Sequence, residues 1–140
     1  MDRRTLLLGL GAAALAGEAP AVAQAKEQFF PLLVYRTCPY GPNGTPWANG
    51  KQDYIKMINA RDGGVNGIKL TYEECETGYD TKKSIECYEQ AKSKNTVVYS
   101  PWSTGATLAA IPRAHVDKIP ILSMAYGLSS SADGTNFPWV

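Results

Sequence analysis

The sequence predicts an α/β fold in which a parallel sheet carries helices on both faces, a three-layer arrangement. Two observations predict it. Arg61-Asp-Gly-Gly-Val-Asn-Gly-Ile-Lys-Leu-Thr-Tyr-Glu-Glu74 reads as a helix end, a glycine turn and a half-buried strand. Segments of strand period and of helical period then alternate along the chain, and right-handed crossovers turn β-α-β-α-β-α-β into a parallel sheet.

Phe29 to Arg36 is mostly apolar and long enough for a strand buried on both faces. Cys38 to Pro46 is turn-rich, with Pro39, Gly41, Pro42, Asn43 and Gly44. Trp47, Tyr54, Ile55 and Ile58 recur at helical spacing, which sets Lys51 and Lys56 on the outer face. Gly63, Gly64 and Gly67 supply the positive φ angles that a helix stop and a tight turn need. In the second strand, Ile68 to Glu74, Ile68, Leu70 and Tyr72 alternate with Lys69, Thr71 and Glu73.

Asp80 is placed to cap a helix with Ile85, Tyr88 and Ala91 inward. Thr96 to Ser100 is a short third strand around Val97 and Val98. Ser103 or Thr104 caps the next helix, with Leu108, Ile111 and Val116 on its apolar side and a kink or break expected at Pro112. Ile119 to Met124 is the fourth strand. A loop of small and polar residues runs from Ala125 to Gly134, and the apolar segment Asn136 to Val140 follows without a closing helix. This ending reads as a fragment of a longer protein.

The front of the chain has the layout of an export signal. Arg3 and Arg4 precede an apolar run from Leu6 to Ala16, too short for a permanent membrane span. Cleavage is expected near Ala23 or Ala25, which makes 1–25 a signal peptide and leaves the Sec and twin-arginine routes both open. Gly9-Leu-Gly-Ala-Ala-Ala14 imitates a dinucleotide fingerprint, but it lies inside the apolar core of the signal rather than between a strand and a helix.

Net charge is +1 without a basic run, so neither nucleic acid nor an anionic membrane surface is an expected partner. After export, Cys38, Cys75 and Cys87 meet an oxidising compartment. Cys75 ends the second strand and Cys87 lies in the helix running back along the sheet. A bridge between them is favoured over free thiols, with Cys38 left over. With one histidine, His115, and no C-x-x-C, a zinc site is not expected, and no metal or cofactor is assigned.

Open α/β sheets bind ligands beyond the carboxyl ends of their strands. Three such ends carry usable groups: Tyr40 in the loop after strand one, Ser100-Pro-Trp-Ser-Thr-Gly105 after strand three, and Ser123-Met-Ala-Tyr-Gly127 after strand four. The second offers a helix N-terminus, the hydroxyls of Ser103 and Thr104, and Gly105 for close approach, so it can hold a carboxylate. Ser103 is equally suited to be an N-cap alone. Trp102 and Tyr126 can cover an apolar or aromatic ligand body, or serve as edge packing. Arg36 can act as a ligand clamp or sit in a surface ion pair. No triad, G-x-S-x-G or redox arrangement is present, so the chain does not read as an enzyme.

Arg61-Asp-Gly-Gly-Val-Asn-Gly-Ile-Lys-Leu70, Val98-Tyr-Ser-Pro-Trp-Ser-Thr-Gly105 and Lys118-Ile-Pro-Ile-Leu-Ser-Met-Ala-Tyr-Gly127, in this order, resemble the exported substrate-binding proteins of branched-chain amino acid ABC transporters. The resemblance, to the leucine/isoleucine/valine-binding family, covers nearly all of 26–140. It implies the N-terminal lobe of a type I periplasmic-binding-protein fold, here incomplete. It also implies a periplasmic, monomeric receptor that closes on a small amino acid or organic acid and delivers it to an inner-membrane ABC permease. The resemblance gives Ser103 the ligand carboxylate, and Ala125 and Gly127 the contacts from the loop after strand four. Family members that bind amino acids often carry threonine where Gly127 stands, which keeps aromatic or short organic acids open. A ligand-sensing receptor domain is the alternative reading, and a flavodoxin-like enzyme is a third. Half a cleft encloses little of a ligand, so weak binding by these residues alone is expected.

Overall fold

Pro31, Leu32, Leu33 and Val34 are all buried, and their alternation builds the core on two sides of one strand. In the computed structural model, which describes residues 26–127, 132–135 and 137–140, the elements are β1 (Glu27–Val34), α1 (Gly41–Asp62), β2 (Lys69–Glu76), α2 (Thr81–Lys92) and α3 (Thr104–Asp117). The expected signal, residues 1–25 with their fingerprint-like glycines, lies outside the described residues. So do residues 128–131 of the expected last loop and residue 136.

β1 and β2 pair in parallel, from Glu27 opposite Lys69 to Val34 opposite Glu76. Leu33 points to a cluster with Cys87, Tyr88, Tyr99, Ala110, Ala114 and Ile121, the side of α2 and α3. Leu32 and Val34 point the other way, to Ala48 and Ile55 of α1. The sheet thus has helices on both faces, as the sequence predicts.

The third and fourth strands contract to a single parallel bridge between Tyr99 and Ile121. Tyr99 N–H donates to Pro120 C=O at 2.9 Å, and Leu122 N–H donates to Tyr99 C=O at 2.8 Å. In a parallel ladder the bonds on either side would need the N–H groups of residues 101 and 120, and both are proline. The centre of the segment is Tyr99, which is fully buried, whereas Val97 is exposed. On its other edge Ile121 N–H donates to Trp139 C=O at 2.7 Å, and Trp139 and Val140 pack on the α2–α3 cluster.

Three helical details differ from the sequence reading. First, α1 begins at Gly41, inside the segment expected to be loop. Pro42 falls in its first turn, where a missing N–H costs nothing, and a Cβ on Gly44 would lie 2.1 Å from the Tyr35 carbonyl oxygen. The glycines there let a helix lie directly on the end of β1. Second, Lys51 is not on the outer face: it follows Trp47 by one turn and precedes Ile55 by one, on the side facing the sheet. Third, α3 turns Ala106, Thr107, Ala110 and Ala114 inward and leaves Leu108 and Val116 exposed. Small side chains let the helix approach closely, and it runs through Pro112 without a break.

The glycine joint forms as expected. Gly63 ends α1 in the left-handed region, and Asn66 and Gly67, both at positive φ, close the turn that leads into β2. Cys75 and Cys87 form a disulfide that ties β2 to α2, with Cα atoms 5.9 Å apart, and Cys38 is free. Replacing both bridged cysteines by alanine is expected to lower unfolding free energy by ~3 kcal/mol, the loop-closure value for a ring of this size. Urea titrations of the two proteins under non-reducing conditions measure it, and superimposable curves would show that the bridge adds nothing.

Candidate functional site

The carboxyl ends of β1, β2 and the segments ending at Ser100 and Ile121 lie along one edge, and a cavity of about 130 Å³ opens there. Trp47, Tyr79, Trp102, Thr104, Met124 and Tyr126 line it. Of the residues expected at the site, Trp102, Thr104 and Tyr126 therefore meet around one space. Tyr40, at the N-cap position of α1, packs against Tyr79 with ring centres 4.9 Å apart and planes tilted by 55°, one ring removed from the cavity.

Ser103 is the N-cap of α3, its Oγ accepting from Ala106 N–H at 3.4 Å. Thr104 begins the helix and is exposed. Gly105 is exposed, and a Cβ there would lie 2.8 Å from Thr81 Oγ1. The glycine lets the start of α3 abut the start of α2, so two helix N-termini converge at this edge. The N-terminus of α2 is already capped by Asp80, whose Oδ1 accepts from Lys83 N–H at 2.8 Å.

A chain of hydrogen bonds fastens the loop after Ile121 to the start of α3. Ala125 N–H donates to Ser123 Oγ at 2.9 Å, Ser123 Oγ to Thr107 Oγ1 at 3.2 Å, and Thr107 Oγ1 to Ser103 C=O at 3.0 Å. Thr107 is fully buried. The Ala125 amide, which the resemblance gives to a ligand, is thus engaged within the chain. Gly127, exposed at the end of the same loop, has interactions of its own.

The aromatic rings brace one another. Tyr35 meets Tyr79 edge-on at 5.1 Å and Trp102 at 5.7 Å, and Trp47 meets Trp102 at 5.3 Å. Burial and the neighbouring Tyr79 raise the Tyr35 phenol above its ordinary range. Tyr79 and Trp47 are absent from the sequence-derived site. The loop after β2, Gly78-Tyr79, is a strand carboxyl end like the other three and the same rule would have found it. Trp47 reads as a core position in the helical period, yet 45% of it is exposed, at the rim.

Arg36 sits in an ion pair, the second of the two roles open to it. Its guanidinium pairs with Glu74 on the neighbouring strand and donates to Asn49 Oδ1 at 3.0 Å, and its hydrogen bond holds the Glu74 carboxyl below the usual range. Lys51 is another cation nearby, its Nζ 4.2 Å from the centre of the Trp102 ring and 3.3 Å from Ser100 Oγ. Burial pulls the Lys51 amine down to about 8. Lys51 also borders a larger cavity of about 460 Å³ between α1 and the sheet, otherwise walled mainly by apolar side chains including Phe30, Leu32, Ile55 and Leu70. Of these two cavities, the smaller is the one that strand ends and a helix N-terminus face.

Residues 27–140 match the family model described as periplasmic binding protein. The chain belongs to this family. Solved structures of similar fold include an ABC transporter permease from the Pseudomonas fluorescens group, 42% identical with a TM-score of 0.76, covering 81% of this chain and 28% of that one. A branched-chain amino acid ABC transporter from Thermus thermophilus with bound valine shares the fold at 21% identity and a TM-score of 0.72, over 82% of this chain and 30% of that one. A fatty acid ABC transporter substrate-binding protein from Thermomonospora curvata is 24% identical, with a TM-score of 0.64 over 72% of this chain and 26% of that one. No curated protein matches the chain. This periplasmic binding protein segment therefore spans under a third of the length of the solved structures it resembles.

Replacing Thr107 by valine keeps the shape but leaves the Ser123 hydroxyl without its acceptor, while the Ser103 carbonyl keeps the Thr107 N–H. The cost is expected to be ~1–3 kcal/mol, with faster hydrogen exchange at the Ala125 amide. An unchanged exchange rate would show that the hydroxyl chain does not hold the loop.

For Lys51, a folded pKa near 8 lies below the ordinary lysine value, so the unfolded chain binds more protons between about 8 and 10.5. This group's contribution to stability must therefore rise with pH across that window. Lys51→Met should remove that part of the slope and gain about 1–2 kcal/mol at neutral pH, allowing for solvent access. Denaturant titrations of both proteins across the window measure it, and identical slopes would refute the burial effect.

Proposed function

We propose that residues 26–140 are part of the N-terminal lobe of the solute-binding component of an ABC uptake system. It captures a branched-chain amino acid or a related small carboxylate and delivers it, untransformed, to an inner-membrane permease. The supporting observation is the cavity at the strand ends, where the first residue of α3 faces a space otherwise lined by rings and Met124. A helix start supplies unpaired N–H groups and a partial positive charge, so a carboxylate can be held there without a buried arginine. In this reading Thr104 and Ser103 meet the carboxylate, Trp102 and Tyr126 belong to the wall with Tyr40 packed behind Tyr79, and Ala125 and Gly127 shape the loop opposite. The protein acts in the periplasm as a monomer, after removal of a signal peptide near Ala23 or Ala25, and uses no cofactor.

One lobe encloses only part of a ligand, so the purified chain is expected to bind small carboxylates in the millimolar range. NMR titration with isovalerate should move the amide signals of Thr104 and Gly105. Thr104→Val, at an exposed position, should weaken this binding several-fold while changing stability by less than about 0.5 kcal/mol. Ser103→Ala should cost ~1 kcal/mol of stability through loss of the cap. Unmoved Thr104 and Gly105 amides, or undiminished affinity in Thr104→Val, would overturn the assignment of the anion site.

A further inference from the structure

Resting on the proposed carboxylate site, we infer that its ligand is an aromatic carboxylate, its ring held between Trp47, Tyr79, Trp102 and Tyr126. Size comes first. A cavity of roughly 150 Å³ takes one benzene ring, and the space here is about 130 Å³.

The wall is the second observation. Four of the six lining residues are aromatic. Tyr35, which does not line the cavity, props both Trp102 and Tyr79 edge-on from behind. Tyr79 is delivered to its place by a left-handed backbone at φ 61°, unusual for a bulky side chain. Tyr126 is fully exposed and Trp47 nearly half exposed, so the mouth is an apolar patch in contact with water. Exposed apolar patches beside a cleft mark ligand surfaces, and a planar ligand can stack on or meet such rings edge-on.

Charge is the third. None of the lining residues is acidic, so an α-ammonium group would find no carboxylate in this wall. Lys51 stands over the Trp102 ring, 4.2 Å from its centre, and brings positive charge to this wall. A second cation beside Lys51 is repelled, whereas an anion at the start of α3 is favoured by both the helix and the lysine.

The test compares benzoate, cyclohexanecarboxylate and leucine in NMR titrations of the purified chain. The signals followed are the amides of Thr104 and Gly105 and the indole N–H groups of Trp47 and Trp102. Cyclohexanecarboxylate has the same charge and a slightly larger apolar body, so only ring geometry favours benzoate. Benzoate is expected to bind about three- to tenfold more tightly than cyclohexanecarboxylate, the range that aromatic pairing adds beyond area. It should also bind more tightly than leucine and shift the indole signals through ring currents. Tyr126→Ala, whose side chain is fully exposed, should erase part of the benzoate preference and leave the fold intact. If cyclohexanecarboxylate or leucine equals or exceeds benzoate while the Thr104 and Gly105 amides still move, the aromatic assignment fails and the carboxylate site stands. If no ligand moves those amides, both fail.

Discussion

The parallel pairing of β1 with β2 is the constraint from which the remaining arrangement follows. Two strands that run the same way cannot be joined by a hairpin, so the chain must return along a face of the sheet as a helix. Each strand then ends at the same edge, and each following helix begins there. Leu32, Leu33 and Val34 make the pairing durable, because alternate side chains are buried against α1 on one face and α2 and α3 on the other. One consequence is visible at Gly105, where the starts of α2 and α3 come so close that a Cβ would strike Thr81.

The edge is held together by side chains rather than by a long ladder. Pro101 and Pro120 deprive the last two strand segments of the N–H groups that would extend their pairing beyond Tyr99 and Ile121. Thr107 takes over part of that duty from inside α3, joining the Ser103 carbonyl to Ser123 and through it to Ala125. Tyr99 contributes from the other end, donating its hydroxyl to the Ser84 carbonyl in α2 at 2.7 Å. The buried hydroxyls of Thr107 and Tyr99 each reach a backbone carbonyl, which removes the desolvation cost they would otherwise carry.

Much of this could be read from the residues, and the failures have physical causes. The joint at Gly63 to Gly67 was legible because positive φ leaves few choices of residue. The bridge between Cys75 and Cys87 was legible because a strand end and the next helix had to lie side by side. Misreadings arose wherever composition spoke against geometry. Pro42, Asn43 and Gly44 look like loop, yet proline is harmless in a first turn and glycine is needed against Tyr35. Lys51 looks like an outer residue, yet the helical period places it beside Trp47 and Ile55. Leu108 and Val116 look like core, but close packing of α3 selects its alanines, and side-chain volume rather than hydrophobicity decides the face. At the candidate site Trp102, Thr104 and Tyr126 were found through the strand-end rule, while Trp47 was hidden by its helical spacing.

The proposed anion site rests on the electrostatics of this edge rather than on an arginine. Arg36 is consumed by Glu74, Asn49 and the Thr45 carbonyl, which fixes the end of β1 but leaves little of its charge for a ligand. Asp80 caps α2, so that helix start is already neutralised by a carboxylate of the chain. Only α3 begins with neutral hydroxyl residues, Ser103 and Thr104, and so it alone of these two converging helices keeps its partial positive charge uncompensated. Lys51 adds to the same sign from behind Trp102, at a cost in burial that a solvated surface lysine would not bear. In the proposed reading, a negative group at the start of α3 is favoured by both the helix and the lysine.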